Sequence, residues 1–166
     1  MKFLLTVLVC VIVSLEGTLC HQPTPAEMIE GILSTLSGAL NLAKNLPKTI
    51  DALRKNPLTT DSDLVREMAN VILSSLNATS VAIGNLAINE DVKQDSRKTD
   101  AISDIQAAVS SLAIPVVQLQ HTLQDINFKG MRLELSVRLE LLEKTLRENV
   151  VKVQAEVTKA DRVAFR

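Results

Sequence analysis

The chain has 166 residues, with 18 Lys and Arg against 19 Asp and Glu, a formal net charge of −1, three Phe, and neither Trp nor Tyr. Near-neutrality gives no electrostatic footprint for nucleic acid or an anionic membrane, and so few rings leave almost no stacking platform for bases, sugars or flat cofactors. Both cysteines, Cys10 and Cys20, fall within the first twenty residues, so removal of that segment excludes a disulfide framework.

Residues 1–20 read as a signal peptide. Met1 and Lys2 give a short positive start, and Phe3 to Leu15 is a charge-free apolar run too short to span a bilayer. Thr18 and Cys20 stand three and one residues before a cut at Cys20–His21. The expected product is a secreted, cysteine-free chain starting at His21, with no transmembrane segment left after processing. Leu19 does not suit bacterial lipid attachment, and the Ala-Phe-Arg ending lacks the apolar tail of a GPI signal. Residues 21–166 have the length of one domain.

Periodicity predicts an all-α fold with four long helical stretches and no strand. The first opens at Thr24-Pro25-Ala26-Glu27, which combines a cap, a proline in the first turn and a Glu three residues on. Its stripe runs Ile29, Ile32/Leu33, Leu36, Leu40, Ala43, Leu46, Ile50 and Leu53, interrupted by Pro47 and closed at Asn56-Pro57. The phase survives Pro47, which favours a kink over a break.

Thr60 or Asp61 is expected to cap a second stretch continuing to about Ile88. Its predicted inner face is Leu64, Met68, Val71, Ile72, Ser75, Leu76, Thr79, Ile83 and Leu86. Asn89 to Asp100 is charge-dense and reads as a loop.

The third stretch carries Ile102, Ile105, Val109, Leu112, Val116, Leu119, Leu123 and Ile126, alternating steps of three and four without a miss. That is a heptad seam of the kind found in coiled coils and four-helix bundles. Pro115 lies inside it, and the unbroken register predicts a kinked helix. A turn follows at Phe128-Lys129-Gly130, with Gly130 suited to positive φ.

The fourth stretch has Leu135, Leu139, Leu142, Leu146, Val150, Val153 and Val157 on one side. Glu134–Arg138, Glu140–Lys144, Glu143–Arg147 and Glu148–Lys152 are acid-before-base pairs at i,i+4, read as a solvated outer face. Short connections make neighbours antiparallel, so an up-down bundle of four long helices is expected, five if Pro47 or Pro115 breaks one.

Charge is unevenly spread. None occurs from Met68 to Asn89, nor from Ile105 to Gln124. The many amides and hydroxyls there argue against a membrane span. Two readings are open: inner helices whose burial excludes charge, or helices lining a cavity or an adhesive face for apolar molecules. In the second, Ala78, Ala82, Gly84, Ala107 and Ala108 leave space, and Pro115, by freeing the Ser111 carbonyl, lets the helix pair part. The expected lining is Met68, Ile72, Leu76 and Ile83 facing Ile105, Val109, Leu112, Val116 and Leu119.

Chemistry is otherwise sparse. There is no Cys–His pair, nucleophile elbow, phosphate-cradling loop or close His ligand motif, so neither enzymatic activity nor a cofactor is expected. His21 would become the mature N-terminus, where copper chelation is conceivable, but a chance exposure explains it more simply and no metal is expected. His121 flanks the seam as a half-exposed polar residue. Asn77-Ala78-Thr79 is the one N-glycosylation sequon, with Asn77 about 160° from the inner face of its helix.

The run Asp104-Ile105, Val109, Leu112, Val116, Leu119 and Leu123, then Phe128 to Gly130, then Leu139, Leu142 and Leu146, behind a signal peptide and in a Cys-poor chain, resembles the fungal hydrophobic surface-binding protein A family, related to cell-wall galactomannoproteins. The resemblance covers about residues 25 to 155. It implies a secreted helical bundle that adsorbs to hydrophobic surfaces or holds fatty-acid-like ligands in an aliphatic interior. The charge-rich fourth stretch and the Arg166 ending depart from the pattern and leave wall anchoring open. The alternative is a secreted interaction module or an oligomeric coiled coil without a small-molecule ligand. The sequence does not fix the oligomeric state.

Overall fold

The computed structural model describes residues 24–56 and 59–164; the signal-peptide reading of residues 1–20, the cut before His21 and the copper idea lie outside them. Helices α1 (Pro25–Lys55), α2 (Thr59–Ala87), α3 (Glu90–Lys93), α4 (Ser96–Lys129) and α5 (Leu133–Ala164) follow in order, with no strand among the described residues. The fold is the expected all-α bundle, with α4 and α5 as the third and fourth predicted stretches.

The sequence sets the helix ends locally. Thr24 Oγ1 accepts from the Glu27 N–H at 3.3 Å while the Glu27 carboxylate accepts from the Thr24 N–H at 2.7 Å, so the reciprocal cap forms as predicted. Asn89 and Asp95 cap α3 and α4 through the N–H groups of Asp91 and Arg97. Gly130 ends α4 at φ 71° and ψ 174°, a region open essentially only to glycine, and its N–H reaches the Ile126 carbonyl at 2.8 Å.

Helices α1 and α4 run through Pro47 and Pro115, as the unbroken phase predicted. Three expectations are corrected here. A fifth helix, α3, lies inside the stretch read as a loop, and α4 starts at Ser96 instead of after Asp100. Each of these two short starts has its own Asx cap, which a charge-dense composition hides. Helix α2 begins at Thr59, so the positions of Thr60 and Asp61 lie within it; caps and first turns draw on the same residue types.

The four long helices form a ring in the order α1, α2, α4, α5, with α5 closing onto α1. Cross-helix pairs fix the antiparallel sense. Between α1 and α5, Lys44 meets Gln154 and Arg54 meets Glu140. Between α2 and α4, Ser80 meets Gln106 and Asn70 meets Gln120. Between α4 and α5, Asp104 meets Lys159 and Asp125 meets Arg138. In each pair the partner's number falls as the residue's rises.

Every predicted stripe position of α1, α4 and α5 is buried. Helix α2 is rotated from its predicted face: Leu64 and Val71 are 48% and 37% exposed, while Val65 and Ala69 are buried. Its true line is Val65, Ala69, Ile72, Leu76, Thr79, Ile83 and Leu86, an unbroken heptad seam. Bulky Leu64 and Val71 outweighed small Ala69 in the sequence pattern, but only a narrow line can face the centre of a four-helix ring.

Candidate functional site

The nine residues expected to line a ligand site are core. Ile72, Leu76, Ile83, Ile105, Val109, Leu112, Val116 and Leu119 are all buried, and Met68 packs partly buried against them, its sulfur accepting from Thr49 Oγ1 at 3.8 Å. Of the nine, Ile83 and Ile105 also border a cleft described below. Nor do most of the small residues make internal room, since Ala78, Gly84 and Ala107 face solvent.

Pro115 is not the weak point it was expected to be. It is buried, and α4 runs through it. The Ser111 carbonyl, left without the N–H of residue 115, accepts instead from Asn149 Nδ2 of α5 at 2.8 Å. The defect in one helix thereby becomes a stitch to its neighbour.

The uncharged segments are on the outside. In the ring α2 and α4 each have two neighbours, like α1 and α5, so burial of inner helices does not explain their lack of charge. Asn70, Ser74, Asn77 and Val81 of α2 and Ile88 just beyond its end are exposed, as are Ser103, Ala107, Ser110, Ile114 and Val117 of α4. Helix α4 is long and apolar enough to cross a membrane, yet only 44% of its most apolar window is buried in the bundle. Helix α1 adds a third uncharged stretch from Gly31 to Ala43, exposing Ser34, Ser37 and Asn41. Diagonally across from α2, α5 alone carries twelve charged side chains. The molecule is thus two-sided: on one side uncharged stretches of α2 and α4 about 30 Å long and of α1 about 20 Å long, at 1.5 Å per residue, and on the other a charged ridge.

On that ridge, Glu134–Arg138 and Glu143–Arg147 form as predicted, at 3.3 and 2.8 Å. Glu143 is not a free surface residue, however. Its side chain is only 15% exposed and also meets Arg54 of α1 at 3.4 Å, while Glu140 takes the other Arg54 nitrogen at 2.7 Å. Arg54 lies in the last turn of α1, where a cation also suits the helix dipole.

A cleft opens at the end of the bundle where α1 and α4 begin and α2 and α5 end. Ile29 and Ile32 of α1, Ile83 and Leu86 of α2, and Ala160 of α5 border it. Helix α4 contributes Ala101, Ile102, Ile105 and one cation, Lys98. Its lining is almost wholly carbon, and its volume of about 20 Å³ has room for roughly one water. Lys98 Nζ lies 3.6 Å from Asp95. A wider groove runs outside α2 and α4 past Ser80, Gly84, Ala107 and Ser110.

Asn77 is exposed, but Thr79 of the same sequon is 1% exposed and its hydroxyl has no hydrogen-bond partner. His121 is exposed, beside Gln118, Leu141 and Thr145 in a groove between α4 and α5. Among the described residues no three His, Cys, Asp or Glu side chains gather to hold a metal.

No family model, curated protein or solved structure matches the chain. The resemblance to the hydrophobic surface-binding family therefore rests on aliphatic spacing and the Phe128–Gly130 landmark alone. Sequence reasoning missed Asn149, Arg54 and Lys98. Lys98 offered a local signal, as the cation one turn before the seam begins at Ile102.

Proposed function

We propose that the protein is a secreted, non-enzymatic binder of apolar matter, adsorbing to aliphatic surfaces through its uncharged α1–α2–α4 side. One observation carries this reading: Val71, Val81, Ile88, Ile114 and Val117 are exposed within a side whose other groups are amides, hydroxyls and alanines. Covering charged groups costs far more than covering neutral ones, and each half-exposed aliphatic removed from water contributes about 1 kcal/mol. The charged ridge of α5, on the opposite side, keeps the adsorbed protein oriented towards water. Aliphatic groups without rings suit alkyl surfaces better than flat ligands.

Depletion of the protein from solution by alkylated silica tests the reading. Val81→Lys combined with Ile114→Lys places two charges on the contact side and should weaken adsorption at least about tenfold, whereas Val151→Lys on the α5 ridge should leave it unchanged. Equal loss in both variants would remove the assignment of a side.

A second reading is favoured by Leu133, Val137 and Leu141, exposed at 83%, 58% and 65% and spaced four apart along α5. That stripe suits a partner helix. A stable dimer by light scattering, abolished by Val137→Lys, would select it.

A further inference from the structure

Helix α5 carries a second heptad line, opposite the one that faces the core. Val137, Leu141, Lys144, Glu148, Val151 and Ala155 follow one another in alternating steps of four and three, and all six are exposed. At 100° per residue, Val137 and Ala155 stand about 180° from buried Leu146. The line reads apolar, apolar, basic, acidic, apolar, apolar, so it is complementary to its own reverse. We propose that this face of α5 docks on the same face of a second copy of the chain, antiparallel, about a two-fold axis at the level of Leu146.

The pairing follows from position. Val137 lies against Ala155 of the other copy, Leu141 beside Val151, and Lys144 beside Glu148, each contact made twice by symmetry. The neighbouring registers are worse. A shift of one heptad sets Lys144 beside Leu141 or Ala155, and a parallel pair sets Lys144 on Lys144 and Glu148 on Glu148.

The single chain leaves both charges available. Glu140, one turn before Lys144, is taken by Arg54 at 2.7 Å, and neither Lys144, Glu148 nor Lys152 makes an ion pair among the described residues. The expected pairs Glu140–Lys144 and Glu148–Lys152 therefore do not form. The cations flanking the line are neutralised within the chain, Arg147 by Glu143 and Arg138 by Glu134 and Asp125.

This rests on the reading of Leu133, Val137 and Leu141 as a stripe for a partner helix, and names that partner. Pairing through α5 leaves both α1–α2–α4 sides uncovered. The contact from Val137 to Ala155 is about 27 Å long at 1.5 Å per residue. Each copy brings four apolar side chains around two ion pairs, so the dimer is weak and dissociates on dilution.

The test is light scattering of the full chain from about 10 to about 500 µM, with circular dichroism to show that each variant is folded. The wild type should dimerise within that range. Lys144→Glu and Glu148→Lys each place like charges at both symmetric contacts and should weaken association at least about tenfold. The double variant Lys144→Glu/Glu148→Lys should restore it to within about threefold of wild type. A wild type that stays monomeric throughout would overturn the second copy as partner, leaving the stripe to a different helix. A dimer that Val137→Lys abolishes but neither charge reversal weakens would keep the stripe and overturn the antiparallel register, as would a double variant no better than the single ones.

Discussion

Replacing Asn149 by Ala should expose how the bundle tolerates a proline in its central helix. Asn149 Nδ2 is the donor found for the Ser111 carbonyl, at 2.8 Å in a part-buried setting. Its removal leaves a carbonyl that water reaches only in part, a loss of about 1–3 kcal/mol. For a protein of this size each kcal/mol moves Tm by about 3 °C, so the variant should melt roughly 3–9 °C lower. The decisive comparison is a double-mutant cycle with Pro115→Ala, which gives residue 115 an N–H to reach Ser111 again. In that background Asn149→Ala should lose much less stability, leaving a coupling energy of about 1–2 kcal/mol in urea titrations. If the two substitutions add to within about 0.3 kcal/mol, the stitch is incidental and the explanation of the intact α4 is wrong.

The remaining predictions use the same structure. Leu112→Asp places a carboxylate at a fully buried seam position and should destabilise by about 4 kcal/mol or more; Glu143→Ala should cost about 1–2 kcal/mol by depriving Arg54 and Arg147, and exposed Glu148→Ala no more than about 0.5 kcal/mol, an order that chemical denaturation reads directly and that equal losses would refute. Thr79→Val keeps the shape and removes a buried hydroxyl without a partner, so thermal melts should show stability unchanged or raised by up to about 1 kcal/mol; a clear loss would mean that the hydroxyl has a partner after all. The pH dependence follows from three groups. The Lys55 hydrogen bond holds Asp51 below its ordinary 3.8, and Asp95, which desolvation pushes up, is brought below 3.8 by the Arg97 and Lys98 N–H groups. The hydrogen bond from Lys159 to Asp104 holds the lysine above its ordinary 10.5. The aspartates' contribution is present above 3.8 and lost as pH falls through their lowered values; the lysine's is present below 10.5 and lost as pH rises through its raised value. Tm should therefore fall as pH drops below 3.8 and again as it rises above 10.5, and a Tm indifferent to both ends would contradict these three contacts.

What the sequence conveyed was local or periodic. The Thr24–Glu27 cap, the glycine at 130 and the α4 seam each depend on residues within a turn or two of one another, and all formed as read. Rotation of α2 was harder, because Leu64–Met68–Val71 and Val65–Ala69–Ile72 are equally helical and only the neighbouring helices choose between them. The Asn149–Ser111 and Arg54–Glu143 contacts join residues 38 and 89 positions apart, beyond any periodic signal. The absence of charge in the second and third stretches was visible, but its meaning was not. Composition cannot separate a buried helix from one that presents amides and alanines to solvent; placement in a ring does.

The central claim is that the α1–α2–α4 side meets apolar matter while α5 faces away. The chain contains no Trp, so a single introduced tryptophan reports its own surroundings without background. Val81→Trp, Ile114→Trp and Val151→Trp, each at a position more than half exposed, should fluoresce alike in solution. On adding a paraffin emulsion, the account predicts a blue shift and protection from iodide quenching at 81 and 114, with 151 unchanged. A shift at 151 alone, or equal shifts at all three positions, would contradict it.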